Sequence, residues 1–236
     1  MKDFVNYAAD TLMDSGTHGA PLEDIANPVG NDNGFYGTYG KRFLDILLVL
    51  FTIVVIAPVI LVCATATALS GGKPFYGHKR VGANGREFSC WKIRSMVVDS
   101  DIRLASHLAE NSSAREEWTA TRKLKNDPRI TRFGQFLRKS SLDELPQVLN
   151  VLKGEMSIVG PRPVVRDELA LYGAKSRAYL EMRPGITGLW QISGRNDVTY
   201  QERVAFDQKY RETCSLKVDL AIILQTVKVV LRRTGH

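Results

Sequence analysis

Residues 41–69 read KRFLDILLVLFTIVVIAPVILVCATATAL, and the 24 positions from Ile46 to Leu69 contain no charged side chain. Lys41 and Arg42 precede the run, and Lys73, Lys79 and Arg80 follow it. At 1.5 Å per residue a straight helix of this length reaches roughly 36 Å, enough to cross a hydrocarbon core of about 30 Å. Pro58 stands near the middle, where it removes a backbone donor and crowds the preceding turn, so the sequence predicts a membrane break at Ala57-Pro58 and two arms too short to span alone. Cations at both ends give no inside and outside by the positive-inside rule. A re-entrant hairpin over 41–72, entering one leaflet and returning, keeps both ends on one side. A single straight span and a buried core helix are the two other readings of the stretch.

The 236 residues suit one domain with additions. Residues 1–40 carry one cation, Lys2, and six anions, net −5, which leaves +12 on the remainder of a chain whose formal charge is +7. This acidic segment, rich in Gly, Asn and Asp and without apolar periodicity, is expected to be a disordered tail. A strongly basic body beside a membrane segment favours lipid headgroups and phosphorylated substrates. Nucleic acid would not need the apolar run, and none is expected as a partner. Cys63, Cys90 and Cys214 are odd in number and lack metal-ligand spacing, as packing residues in a reducing compartment do. The first 20 residues show no signal peptide, which predicts a cytoplasmic soluble part.

Residues 73–236 are expected to form that cytoplasmic domain: α+β, mostly helical, with a few short strands between Pro74 and Met96. A polar helix is predicted from Val97 to about Lys125, stopped by Asn126-Asp127-Pro128, then short helices over Thr131–Lys139 and Leu142–Leu152. Loops are expected at Gly160–Pro163 and from Pro184 to Asn196. Two helices, Thr199 to about Glu212 and Leu216 to about Arg233, close the chain. In the last, Leu220, Ile223, Val227 and Val230 or Leu231 share one face, suited to a bilayer surface or to ordinary docking.

Ser141-Leu142-Asp143-Glu144-Leu145-Pro146-Gln147 is the most informative polar stretch. Ser141 followed by Glu144 matches a capping box, which would place Asp143 and Glu144 in a first helical turn where the dipole keeps them ionised. Spacing alone makes such a pair ordinary capping. Two hard oxygen donors beside phosphates would also suit Mg²⁺. The surrounding cations favour the second reading: Arg138 and Lys139 lie upstream, Arg162 is held between two prolines, and Arg195 follows Gly194. A stiffened guanidinium suits bidentate capture of phosphate. In Lys92-Ile93-Arg94 the alternation places both cations on one face of a strand. His18, His78, His107 and His236 form no triad, and neither a P-loop nor a dinucleotide fingerprint is present.

Five stretches together resemble the bacterial sugar transferases, the monotopic phosphoglycosyl transferases that start glycan assembly on a polyprenyl phosphate. They are Lys41–Asp45 ahead of a proline-broken apolar run, Lys92–Met96, Arg138–Gln147, Gly160–Pro163, and Pro184–Gln191 continuing to Gly194-Arg195-Asn196. The resemblance is nearest to the short branch that initiates exopolysaccharide synthesis in rhizobia. Ala57-Pro58 stands where that family commonly has Ser-Pro. The resemblance implies transfer of a hexose-1-phosphate, galactose or glucose, from a UDP-sugar to undecaprenyl phosphate at the inner membrane, with release of UMP. It further implies that Asp143 is the nucleophile, that Glu144 is a ligand of Mg²⁺, and that Arg138 and Arg162 contact phosphate. Lys92, Gln191 and Arg195 are substrate-binding candidates by motif position. A homodimer is compatible with the sequence and not specified by it.

Overall fold

The computed structural model describes residues 35–121, 124–193 and 199–231. The expected disordered segment 1–34, and Arg195 with Asn196, lie outside them. Helix α1 (Lys41–Leu69) opens the body and is led by a π-helical turn, Tyr36–Gly40, so helical structure begins inside the stretch assigned to the tail. Pro58 lies within α1 without ending it. The helical assignment runs unbroken to Leu69, although proline supplies no amide at that position.

Most of α1 faces outward. Phe43, Phe51, Val54, Val55, Leu61, Val62 and Leu69 are each more than two-thirds exposed, which sets aside the reading of α1 as a buried core helix. Only a narrow strip faces the protein. Val49 packs with Phe88, Cys90, Val148, Val151 and Met156, joined by Ile53, Ile56 and Ile60, while Cys63 meets Ile93 and Leu137.

Polar contacts pin both ends of α1 to the same body. Lys41 Nζ donates to Asp219 Oδ2 at 2.7 Å and to Tyr210 Oη at 2.8 Å. Arg42 donates to the carbonyls of Val151 and Leu152 at 2.5 and 2.9 Å. Asp45, only 2% exposed, accepts from Ser157 Oγ at 3.0 Å and the Ile158 amide at 2.8 Å. At the far end Arg94 donates to the Thr67 carbonyl at 3.1 Å.

Strands β1 (Phe75–Val81) and β2 (Glu87–Ile93) pair antiparallel with Phe75 opposite Ile93 and Val81 opposite Glu87, around a turn where Asn84 takes a φ of 56°. The single polar helix expected next is two, α2 (Ser100–Glu110) and α3 (Ser112–Thr121), because Asn111 adopts an extended conformation between them. Helix α4 (Arg132–Ser140) starts where the sequence predicted, with Thr131 Oγ1 accepting from the Gly134 amide at 2.8 Å.

The helix predicted over Leu142–Leu152 divides into a 3₁₀ turn, Leu142–Glu144, and α5 (Gln147–Lys153), since Pro146 cannot donate within a continuous helix. Strand β3 (Ser157–Val159), helix α6 (Arg166–Ala170), helix α7 (Ser176–Leu180), strand β4 (Gly185–Thr187) and helix α8 (Leu189–Ser193) follow. The last two occupy a stretch expected to be loop. β3 and β4 pair in parallel, three residues each, too short to show a period.

Helix α9 (Tyr200–Thr213) carries a capping box, Thr199 with Glu202. Helix α10 (Leu216–Leu231) docks through Val218, Asp219 and Ile222 and leaves Leu216, Leu220, Leu224 and Val227 more than 40% exposed. Replacing Lys41 by Met would strand the Asp219 carboxylate, 1% exposed, without its cation. Loss of one partner of a buried pair costs about 3 kcal/mol. Thermal melting in detergent should show that destabilisation, and adding Asp219→Asn should recover most of it.

Candidate active site

The site is built where α4 ends. Gly134 permits α4 to lie against the chain beyond β2, because a Cβ there would overlap the Ser95 carbonyl. That approach brings Arg138 Nε within 2.8 Å of Ser95 Oγ. Ser141 then takes a φ of 56°, closing α4 as a left-handed cap, and its side chain makes no capping bond. The capping box read from Ser141 and Glu144 is therefore absent. The positive φ directs the chain into the single turn that carries Asp143 and Glu144.

Asp143 is 8% exposed and Glu144 lies nearer the surface. Lys92 reaches over from β2 and places Nζ 2.5 Å from Glu144 Oε1. Burial pushes the Asp143 carboxyl up to about 6, with Glu144 adding to the rise while Lys92 and Arg138 oppose it. The helix dipole was expected to keep this group readily ionised. A three-residue 3₁₀ turn supplies too few aligned peptides for that, and desolvation dominates. Asp143 is thus a partly desolvated carboxylate with Lys92 and Arg138 nearby.

A basic file runs along one face of the hairpin. Lys92 opposes Tyr76 and Cys90 opposes His78, so Lys92, His78 and Arg80 share a face at successive steps of about 7 Å. Burial, with Arg80 and Lys92 nearby, lowers the pKa of His78 and favours its neutral form. Arg80 donates to the Pro163 carbonyl at 3.2 Å and pairs with Glu168 at 3.3 Å, tying the Pro161-Arg162-Pro163 strap to β1. Tyr179 adds a second tie, donating to the Val81 carbonyl at 2.7 Å and accepting from the Val164 amide at 3.2 Å. The Cys90 thiol beneath this file is pushed up to about 11 by burial, with Lys92, Glu144, Arg80 and Arg162 as lesser influences.

The structure thus brings Lys92, Arg138, Asp143 and Glu144 together, while the Arg162 guanidinium stands 5.8 Å from the Trp190 ring centroid. Gln191 stands apart: its amide nitrogen donates to the Ile186 carbonyl at 3.2 Å, and no bond among the described residues links it to the carboxylates. Sequence reading passed over Arg80 and Arg203. Alternation of Tyr76, His78 and Arg80 along β1 was a usable signal for the first. Arg203, one of three cations with Lys209 and Arg211 in a polar helix, gave none. No cluster of three or more His, Cys, Asp or Glu able to hold a metal is present among the described residues. Two adjacent carboxylates fit Mg²⁺, which keeps waters and takes phosphate oxygens as its other ligands.

A buried carboxylate with Lys92 and Arg138 beside it, on a body that carries a largely exposed apolar helix, suits the handling of anionic groups. Residues 36–233 match the family model described as bacterial sugar transferase. The chain is 50% identical over 200 residues to the exopolysaccharide production protein ExoY of Sinorhizobium fredii, covering 84% of this chain and 88% of that one. It is 51% identical over 195 residues to the undecaprenyl-phosphate galactose phosphotransferase of Salmonella typhimurium, covering 83% of this chain and 41% of that one. Over 242 residues it is 37% identical to the UDP-glucose:undecaprenyl-phosphate glucose-1-phosphate transferase of Xanthomonas campestris pv. campestris, covering 95% of this chain and 47% of the relative. The chain belongs to the bacterial sugar transferase family, as its five motifs implied.

The raised pKa of Asp143 carries a stability consequence. A carboxyl whose folded pKa exceeds its unfolded value stabilises the fold fully below the unfolded value, near 4, and that contribution is lost as pH rises to about 6. At pH 7.5 the ionised group therefore costs roughly 1–3 kcal/mol. Asp143→Asn should melt at a higher temperature than the parent at pH 7.5, and the gap should close as the pH is lowered toward 4.

Proposed function

We propose that this protein transfers a sugar-1-phosphate from a UDP-hexose to undecaprenyl phosphate, releasing UMP, as the first step of exopolysaccharide synthesis. Galactose and glucose are the hexoses named for two of its relatives. The observation that carries the reading is the placement of the carboxylate pair. One stretch of chain lays Lys92 on Glu144 and, two residues on, Arg94 on the last carbonyls of α1. The reacting carboxylate thus sits beside the end of the apolar helix, where a soluble donor and a lipid-borne acceptor can meet.

In the proposed reaction an Asp143 oxygen attacks the sugar-bearing phosphorus, and the bond from that phosphorus to the oxygen bridging to UMP breaks. A phosphosugar ester of Asp143 results. An oxygen of the lipid phosphate then attacks the same phosphorus and restores the carboxylate. Lys92 and Arg138 hold negative charge at the phosphoryl oxygens, and Arg162 holds the donor phosphate. Mg²⁺, held by Glu144 with Asp143 adjacent, would neutralise diphosphate charge when bound. The acceptor phosphate is already anionic, so no histidine base is required.

The anchors of α1 support a re-entrant topology. A straight span would separate its ends by roughly 40 Å. Both ends nevertheless bond to one polar body, through Lys41, Arg42 and Asp45 at the start and Arg94 at the finish. A helix dipping into the cytoplasmic leaflet of the inner membrane, bent at Pro58, satisfies those bonds without drawing the body into lipid. Cysteines introduced at positions 38 and 75 should both resist an impermeant thiol reagent in intact cells. Labelling at one position alone would establish a span.

Incubation with donor labelled in the sugar, without acceptor lipid, should leave label on the protein and release at most one equivalent of UMP. Asp143→Asn should abolish that adduct and all lipid-linked product. With Asp143 at about 6, single-turnover adduct formation should fall about tenfold for each pH unit below that value and level off above it. If UMP appears only when both substrates are present, and no adduct can be trapped, direct transfer in a ternary complex replaces the two-step course.

A further inference from the structure

We propose that Arg203 is a second arm of a phosphate clamp, closing on the donor nucleotide's phosphate opposite Arg162 across the indole of Trp190. The proposal extends the donor-binding reading given above. The guanidinium of Arg203 lies 4.7 Å from the Trp190 ring centroid and that of Arg162 lies 5.8 Å from it. Two cations drawn to one indole repel each other unless an anion joins them.

Among the described residues no carboxylate is bonded to either guanidinium, although Glu168 and Asp207 line the same crevice. Glu168 is committed to Arg80 and to the Val165 amide, and Asp207 accepts from Tyr172 Oη at 2.8 Å. Arg203 Nε is buried without a partner, and so is Nε1 of Trp190, a residue only 6% exposed. Buried N–H groups without a partner cost free energy, and these two donors face one crevice where a common acceptor could satisfy both. Arg162, Trp190 and Arg203 all line that crevice.

Its free volume is about 10 Å³, the room of one water. It takes an oxygen and not a ring. A phosphate oxygen meets both the charge and the size, whereas a uracil base does not fit. The strap supplies one arm from Arg162 and α9 the other from its first turn, so phosphate binding would draw together two segments that are distant in sequence.

The test uses the full chain in detergent micelles and reads binding without turnover, so it stands apart from whether Asp143 forms an ester. Calorimetric titrations with UMP, uridine and a short-chain prenyl phosphate would compare the parent with Arg203→Gln and Arg203→Lys. Loss of a charge-assisted phosphate contact should weaken UMP about 10-fold or more for Arg203→Gln, less for Arg203→Lys, and leave uridine within about twofold. A loss confined to the prenyl phosphate would place Arg203 on the acceptor and overturn its assignment to the donor. Equal weakening of uridine and UMP, or unchanged binding of both phosphates by a variant that melts as the parent does, overturns the proposal. If Arg203→Gln does not fold, the charge-retaining Arg203→Lys carries the same comparison.

Discussion

The carboxylate of Asp219 is 1% exposed and gathers donors from three parts of the chain. Tyr36 Oη donates to it at 2.6 Å, Lys41 Nζ at 2.7 Å and Tyr210 Oη at 2.6 Å. A buried charge is tolerable only when so partnered, and removing one partner leaves the others holding an uncompensated ion. The rest of the structure depends on this knot. It fixes the start of α1 against α9 and α10, and the direction of a rigid helix is set once its start is fixed. Val49, Ile53, Ile56 and Ile60 then fall onto β2 and α5, and most of the remaining apolar side chains are left exposed.

The candidate site is organised by opposite means. Asp143 is held where water is scarce, which costs stability when it ionises and gives a carboxylate of reduced solvation beside Lys92 and Arg138. That cost is met locally by neighbouring cations and by the polar framework beneath. Asn150, fully buried, donates to the Ser89 carbonyl at 2.8 Å and accepts from the Trp91 amide at 3.1 Å, bolting α5 to β2 just before Lys92. Strain and desolvation concentrated at a site, supported by a rigid surround, are the usual physical state of reactive groups.

Close backbone approach explains why the strap is built from glycine and proline. A Cβ on Gly185 would overlap the Gly160 amide, and one on Gly160 would meet the Arg183 carbonyl. The β3–β4 pair can thus sit directly beneath Pro161-Arg162-Pro163 and present Arg162 from a stiff support. Arg80 and Tyr179 fasten the other side of the strap.

By itself the sequence determined what depends on short-range pattern. The uncharged run before Lys73 specified a long apolar helix, Thr131 and Thr199 stood at helix starts, and the cations around Asp143-Glu144 singled out the candidate site. Those signals are local in chemistry and survive without knowledge of neighbours. The tertiary structure alone decided what depends on contact. Ser141 serves as the cap of α4 and not of the following turn, because Gly134 seats α4 against Ser95 and sets where its last residue must lie. The pKa of Asp143 rises because burial is a property of the assembled body and outweighs the local dipole. Three-residue strands β3 and β4 have too few side chains to show a period, and Arg203 meets Trp190 only after two distant segments fold together.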